Sequence, residues 1–158
     1  MPLRPLELPP TATGQVWLGA MPGRLEPWPS FLAEAGAKGL EEVLCLNPMF
    51  EVQRLSPSYA QAIAEGRLPF RWTHLPMQDF GLSAEMASYR AAVDTLARTV
   101  TSGGVVLVHC AAGIGRTGTT AACLLKRLGL STPASLQRVR DAGSDPESAL
   151  QRGLIDGF

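Results

Sequence analysis

Residues Val108-His109-Cys110-Ala111-Ala112-Gly113-Ile114-Gly115-Arg116-Thr117-Gly118 put a thiol, three glycines, a guanidinium and a hydroxyl directly behind the apolar run 105–108. A buried strand has no packing use for that set. Its members share a use if the ligand is a phosphate. Gly113, Gly115 and Gly118 let the backbone curl until successive N–H groups converge on one point, an anion nest. A helix starting there adds partial positive charge at the same place. Arg116 offers a planar fork that can grip two phosphate oxygens. Cys110 opens the stretch, where such surroundings stabilise a thiolate and make it a nucleophile toward phosphorus. Two plainer readings compete. A cysteine after a strand is often a small buried apolar residue, and a glycine-rich turn can hold a nucleotide. The stretch lacks the lysine of a Walker-type loop and the downstream acid of a dinucleotide site. Neither plainer reading accounts for the cysteine, arginine and threonine together.

These side chains act only if neighbouring elements hold them. The run Val105-Val106-Leu107-Val108 predicts a buried strand through His109, and 116–128 predicts a helix with Gly129 just past its end. Ser83 is expected to cap a helix whose apolar positions Met86, Tyr89, Val93, Leu96 and Val100 recur at steps of three and four. Further strands are expected at Val16 to Leu18, at 41–47 and at 70–77, the last with Phe70, Trp72 and His74 on one side. Other helices are expected from Pro29-Ser30 to Ala37, over 56–65 capped by Ser56-Pro57, from Ser131-Thr132-Pro133 to Asp141, and from Pro146 onward. Alternating strands and helices predict a single α/β domain whose central, mainly parallel sheet of about four to five strands is flanked by helices. In such sheets a glycine loop from strand to helix is where anions bind.

Composition narrows the partners. The 158 residues suit one domain, and lysine plus arginine balance aspartate plus glutamate at 14 each. A nucleic-acid partner would call for a basic excess, so none is expected. No apolar stretch reaches the ~20 residues of a membrane span. The N-terminus, broken by prolines and carrying Glu7, makes a poor signal peptide. Three cysteines, Cys45, Cys110 and Cys123, form an odd set without metal-ligand spacing. The expectation is a cytoplasmic protein without membrane contact, metal or cofactor.

His109-Cys110, five residues, then Arg116-Thr117 resembles the signature loop of the cysteine-based protein tyrosine and dual-specificity phosphatases, His-Cys-x5-Arg-Ser/Thr. The segments "VWLGAMPG", "VLCLN" and "LPMQDF" also occur in the order seen in small atypical dual-specificity phosphatases. The resemblance covers residues 15–158 as a catalytic domain and leaves 1–14 as a proline-rich lead-in. It implies that Cys110 is a nucleophile forming a cysteinyl-phosphate. It implies that Arg116 and the backbone of Ala111, Ala112, Gly113, Ile114, Gly115 and Arg116 bind the phosphate. Thr117 is then similar to the family hydroxyl that bonds the cysteine sulfur, and His109 to the histidine that orients the loop without transferring protons. The family also draws an acid from an upstream loop, and Asp79, flanked by Phe80 and Gly81, fits that place. Asp94, mid-helix, and Glu85, in a helix first turn, are less suitable.

Two features depart from the family's longer members. Met77-Gln78 stands where they have Trp-Pro, and "NPMFEVQRL" holds no pocket-deepening aromatic loop, although Phe50 and Glu51 could form a pocket wall. "GSDPESALQ" resembles a Glu-x-x-x-Gln stretch that would bring Gln151 near the hydrolytic water. Cys45 could reach Cys110 from an adjacent strand and trap an oxidised sulfur, whereas burial as an inert thiol is the default for Cys45 and Cys123. The five residues after Cys110 carry no lysine, unlike the loops of phosphoinositide phosphatases. The resemblance therefore implies a phosphorylated protein or peptide as substrate. Phosphotyrosine comes first, with phosphoserine or phosphothreonine if the pocket is shallow; a phosphoinositide, another small phosphomonoester or a non-catalytic phospho-binding module are the alternatives. Small size points to a monomer.

Overall fold

The strand that leads into Cys110 lies at the centre of the sheet. In the computed structural model, which describes residues 3–79 and 81–158, β5 (Val105–His109) has β2 (Gln15–Gly19) on one side and β3 (Glu42–Cys45) on the other, both parallel to it. Strand β4 (Arg71–His74) continues the sheet beyond β3, also parallel, and β1 (Arg4–Leu6) closes the other edge antiparallel to β2. The order is β1-β2-β5-β3-β4. A strand paired on both sides and covered on both faces suits the β-branched and leucine run 105–108. No strand is expected from the sequence before residue 15. Arg4–Leu6 nevertheless joins the sheet, because Pro5 needs no hydrogen bond from its nitrogen at an edge.

Alternation along the strands divides the core. Val16, Leu18, Leu44, Val106 and Val108 face α4 (Met86–Thr101), α5 (Gly115–Arg127), α6 (Thr132–Asp141) and α7 (Ala149–Asp156). Val43 and Leu107 turn the other way, onto Phe31 and Ala35 of α1 (Trp28–Lys38). Beyond them Cys45 packs with Met21, Val52 and Tyr59, where α2 (Met49–Leu55) and α3 (Pro57–Ala64) cover the sheet. Among the described residues no helix is long and apolar enough to cross a membrane.

Several helix boundaries differ from the sequence expectation, each for a local reason. Helix α4 begins at Met86 rather than behind Ser83, because Ser83 pairs with Met77 across a short loop and accepts the Glu85 amide at 3.2 Å. The last helix starts after Ser148, whose hydroxyl accepts the Gln151 amide, and not at Pro146. Ser56 does not cap α3 with its side chain; its hydroxyl donates to Pro22 O at 2.7 Å. Helix α2 was not expected at all, and it begins after Pro48 with no capping side chain to announce it.

Every parallel strand ends on the same side. The segments after β2, β3, β4 and β5 therefore meet at one place, where open parallel sheets bind ligands. Replacing Leu107, fully buried at the centre of β5, with alanine is expected to cost about 2–5 kcal/mol. Urea unfolding checks this as a lower midpoint with an unchanged slope.

Candidate active site

Residues 110–114 span the gap between β5 and α5 as a tight loop. Gly113 has φ 76°, a left-handed backbone open to glycine, and a Cβ there would also overlap the backbone of Gly19 and Ala20. Gly115 and Gly118 have ordinary helical backbones. Gly118 is needed for space instead, against the Asp145 backbone, whereas a Cβ at Gly115 would meet only the movable end of the Glu147 side chain. Three contacts hold the loop from behind: Met21 N donates to Ala111 O at 3.2 Å, and both Ser144 Oγ (2.6 Å) and Arg4 Nη2 (2.5 Å) donate to Gly113 O. Arg4 also donates to Ser144 Oγ and Ala142 O, which ties the edge strand β1 to the loop. Burial pulls the Arg4 guanidinium below its usual range, against the attraction of Cys110. Among the described residues the amides of Ala111, Ala112, Gly113 and Ile114 find no acceptor within the protein. The first-turn amides of α5 lack intrahelical partners as well.

Thr117 Oγ1 donates to Cys110 Sγ at 3.0 Å, and both residues are buried. Arg116, 2 % exposed, is clamped in two directions. Its two terminal nitrogens meet Glu51 Oε2 at 3.0 Å and Oε1 at 2.9 Å, and Nη1 also donates to Met77 O at 3.0 Å. Burial alone would lower this guanidinium; the hydrogen bonds to Glu51, with Cys110 and Asp79 nearby, outweigh it and raise the pKa above its ordinary value. Removing either member of such a buried pair leaves an uncompensated charge and costs about 3–5 kcal/mol. Asp79 Oδ1 lies 3.7 Å from Arg116 Nη2, on a side chain 62 % exposed. Cys110, Ala111, Ala112, Gly115, Arg116, Glu51 and Asp79 all line one cavity of about 280 Å³.

His109 is fully buried in a chain of bonds with one direction. Trp72 Nε1 donates to Tyr59 Oη at 2.7 Å, and His109 Nδ1 meets the Cys110 carbonyl at 3.1 Å. A carbonyl only accepts, so Nδ1 carries the proton, and Nε2 accepts from Tyr59 Oη at 2.8 Å. Burial, with smaller contributions from Arg116 and His74, pushes the His109 pKa down to about 4, against the bond to the Cys110 carbonyl. Cys45 lies on the His109 face of the sheet, paired in register with His109, whereas Cys110 belongs to the opposite cluster. Strand parity therefore sets Cys45 and Cys110 on opposite faces of the sheet, in line with the inert burial expected by default and against the alternative of a Cys45–Cys110 trap. Burial pushes the Cys45 and Cys123 thiols up to about 12 each.

The loop carrying Asp79 is tethered at its far side. Gln151, fully buried, donates from Nε2 to Gly81 O at 3.1 Å and accepts the Glu147 amide at 2.9 Å. Its amide group thus links the Asp79 loop to the segment that leads into α7. Phe80 lies outside the described residues. Of the other acids weighed, Asp94 pairs with Arg127 at 3.2 Å and Glu85 precedes α4; neither lines the cavity. Sequence reasoning missed Glu51 as the partner of Arg116, Arg4 behind the loop, and the Trp72–Tyr59 support of His109. A carboxylate in an apolar context was the one available signal for Glu51.

Residues 32–153 match the family model described as the Swiss Army Knife protein DSP-PTPase phosphatase domain. The chain belongs to this phosphatase family. Its fold is shared with kinase associated phosphatase carrying serine for its catalytic-site cysteine: TM-score 0.84, 20% identity, covering 100% of this chain and 94% of that one. Tk-PTP in its active form gives TM-score 0.71 and 25% identity over 94% of this chain and 95% of that one. PTPMT1 in complex with PI(5)P gives 0.67 and 20% over 90% and 88%. Among curated protein sequences none matches. The chain is a cysteine-dependent phosphatase domain of the dual-specificity type.

Because the phosphatase keeps His109 neutral in the fold, its unfolded chain binds more protons between pH 6.5, the ordinary histidine value, and about 4. Stability is expected to be intact above pH 6.5 and to fall as pH drops through that window, by roughly 3 kcal/mol in total from this residue. Urea melts of the wild type and of His109→Asn across the window check this, with the wild type showing the steeper loss.

Proposed function

We propose that the chain hydrolyses phosphomonoesters on proteins, phosphotyrosine foremost and phosphoserine or phosphothreonine besides, through a cysteinyl-phosphate. The observation that carries this reading is the 3.0 Å bond from Thr117 Oγ1 to Cys110 Sγ, in the same cavity as an arginine that Glu51 holds in place. The phosphate enters the curl of 111–116, where free amides and the Arg116 fork meet its oxygens. Cys110 Sγ bonds to phosphorus as the bond to the leaving oxygen breaks, and Asp79 supplies that oxygen's proton. Charge on the equatorial oxygens is met by groups already in position. Water then attacks phosphorus and gives Asp79 a proton, and the sulfur leaves as a thiolate stabilised by the Thr117 hydroxyl. His109 acts through the loop backbone, by its bond to the Cys110 carbonyl.

A phosphoinositide is the second reading, supported by the likeness to the PTPMT1 structure holding PI(5)P. The stretch Ala111-Ala112-Gly113-Ile114-Gly115 offers no side-chain charge to a polyphosphorylated headgroup, which favours protein substrates. Three free cysteines support a reducing, cytoplasmic setting.

Steady-state hydrolysis of phosphotyrosine tests the assignment. Cys110→Ser is expected to lose more than about a thousandfold in kcat, as removal of a covalent nucleophile does. Asp79→Asn is expected to lose about 10²–10⁴-fold and to abolish the fall in rate at high pH, because an acid catalyst must hold its proton to act. Activity retained in Cys110→Ser would overturn the nucleophile, and an unchanged alkaline limb in Asp79→Asn would move the acid role to another residue.

A further inference from the structure

We infer that Arg24 and Arg54 form an anion subsite on one rim of the cavity, which selects phosphopeptides with an acidic side chain beside the phosphorylated residue. The inference rests on the phosphoprotein reading above. Arg24 follows β2 and Arg54 ends α2, yet the fold brings them to one wall. Ser56 Oγ donates to Pro22 O at 2.7 Å, pinning the turn before Arg24 against the α2–α3 junction. Both arginines are exposed, and both line the cavity that holds Cys110 and Arg116.

Their charges are unanswered. Other basic side chains meet carboxylates (Lys38, Arg67, Arg71, Arg116, Arg127, Arg140, Arg152), carbonyls or hydroxyls (Arg4, Arg98, Lys126, Arg138) or a phenyl ring (Arg90). Arg24 makes one bond, from Nη1 to the Ala111 carbonyl at 2.8 Å, which fixes its head at the loop and leaves its remaining donors free. Arg54 has no partner among the described residues. Glu51 already offsets the Arg116 charge, so these two cations are surplus on this wall.

The opposite end of the loop carries the opposite sign. The Glu147 carboxylate lies against Gly115 and lines the same cavity, and Asp79 stands exposed at its edge. A ligand with negative charge on all sides, such as an anionic bilayer or an inositol polyphosphate, would meet repulsion there. A peptide with one acidic neighbour on the arginine side would not. Phe50, 64 % exposed, lies four residues before Arg54 on the same face of α2 and adds apolar surface for a peptide chain.

The test measures binding of phosphotyrosyl peptides to the Cys110→Ser variant, which reads the subsite without turnover. Peptides flanked by glutamate are expected to bind about fivefold to tenfold tighter than glutamine-flanked ones, the scale of two exposed charge contacts. The ratio should shrink as salt rises. In the Arg24→Glu, Arg54→Glu double variant it should fall to one or below. Equal binding of both peptides, or a preference that survives the double variant, would overturn the subsite. Tighter binding to phosphatidylcholine vesicles doped with a monophosphoinositide than to either peptide would assign the rim to a membrane and overturn the peptide. Failure to bind any phosphopeptide, while the wild type hydrolyses an aryl phosphate, would instead overturn the phosphoprotein reading and the inference with it.

Discussion

A positive charge has to be kept out of water at the floor of the cavity, and the rest of the site is arranged around that need. The Arg116 guanidinium is almost wholly buried, and an ion so placed persists only when its hydrogen-bonding capacity is met. Glu51 meets it in parallel, two nitrogens to two oxygens, while the Met77 carbonyl takes a further bond. The pair couples three segments that are distant in sequence: helix α2 after β3, the Asp79 loop after β4, and the first turn of α5. An arginine fixed in this way loses little side-chain freedom when a phosphate arrives, and that preorganisation is the basis of electrostatic catalysis.

The loop in front of the arginine is held as firmly from the other side. Arg4 and Ser144 converge on one carbonyl, that of Gly113, at the residue whose backbone is left-handed. The chain of bonds from half-buried Trp72 through buried Tyr59 and His109 reaches the Cys110 carbonyl from the opposite face of the sheet. The three cysteines separate accordingly. Cys45 and Cys123 are enclosed by apolar neighbours that keep them protonated, and Cys110 stands at the cavity with a hydroxyl and a guanidinium beside it.

Much of this was legible in the chain because its signals are local. The strand 105–108, the glycine loop and the helix behind it read directly from hydrophobic run, glycine and alanine-leucine composition, and the spacing of Tyr89, Val93, Leu96 and Val100 marked α4. What escaped depends on tertiary contact. Helix α2 buries Glu51 and exposes Phe50, the reverse of an amphipathic pattern, so neither its existence nor its role could be read from periodicity. Arg4 sits in a proline-broken stretch that reads as a lead-in, and its value comes wholly from reaching Gly113, 109 positions away. By sequence the glycines of the loop share one purpose; in the structure Gly113 is needed for its backbone angle and Gly118 for clearance from the Asp145 backbone, while Gly115 faces only the movable Glu147 side chain.

The central claim is that a phosphoryl group passes through the Cys110 sulfur. Acid quenching of the wild type during turnover of phosphotyrosine, followed by mass spectrometry of the peptide containing residues 105–116, tests it most directly. The account requires that peptide to gain the mass of one phosphoryl group, localised to Cys110. Steady turnover with this peptide unmodified, or the label on another residue, would contradict it.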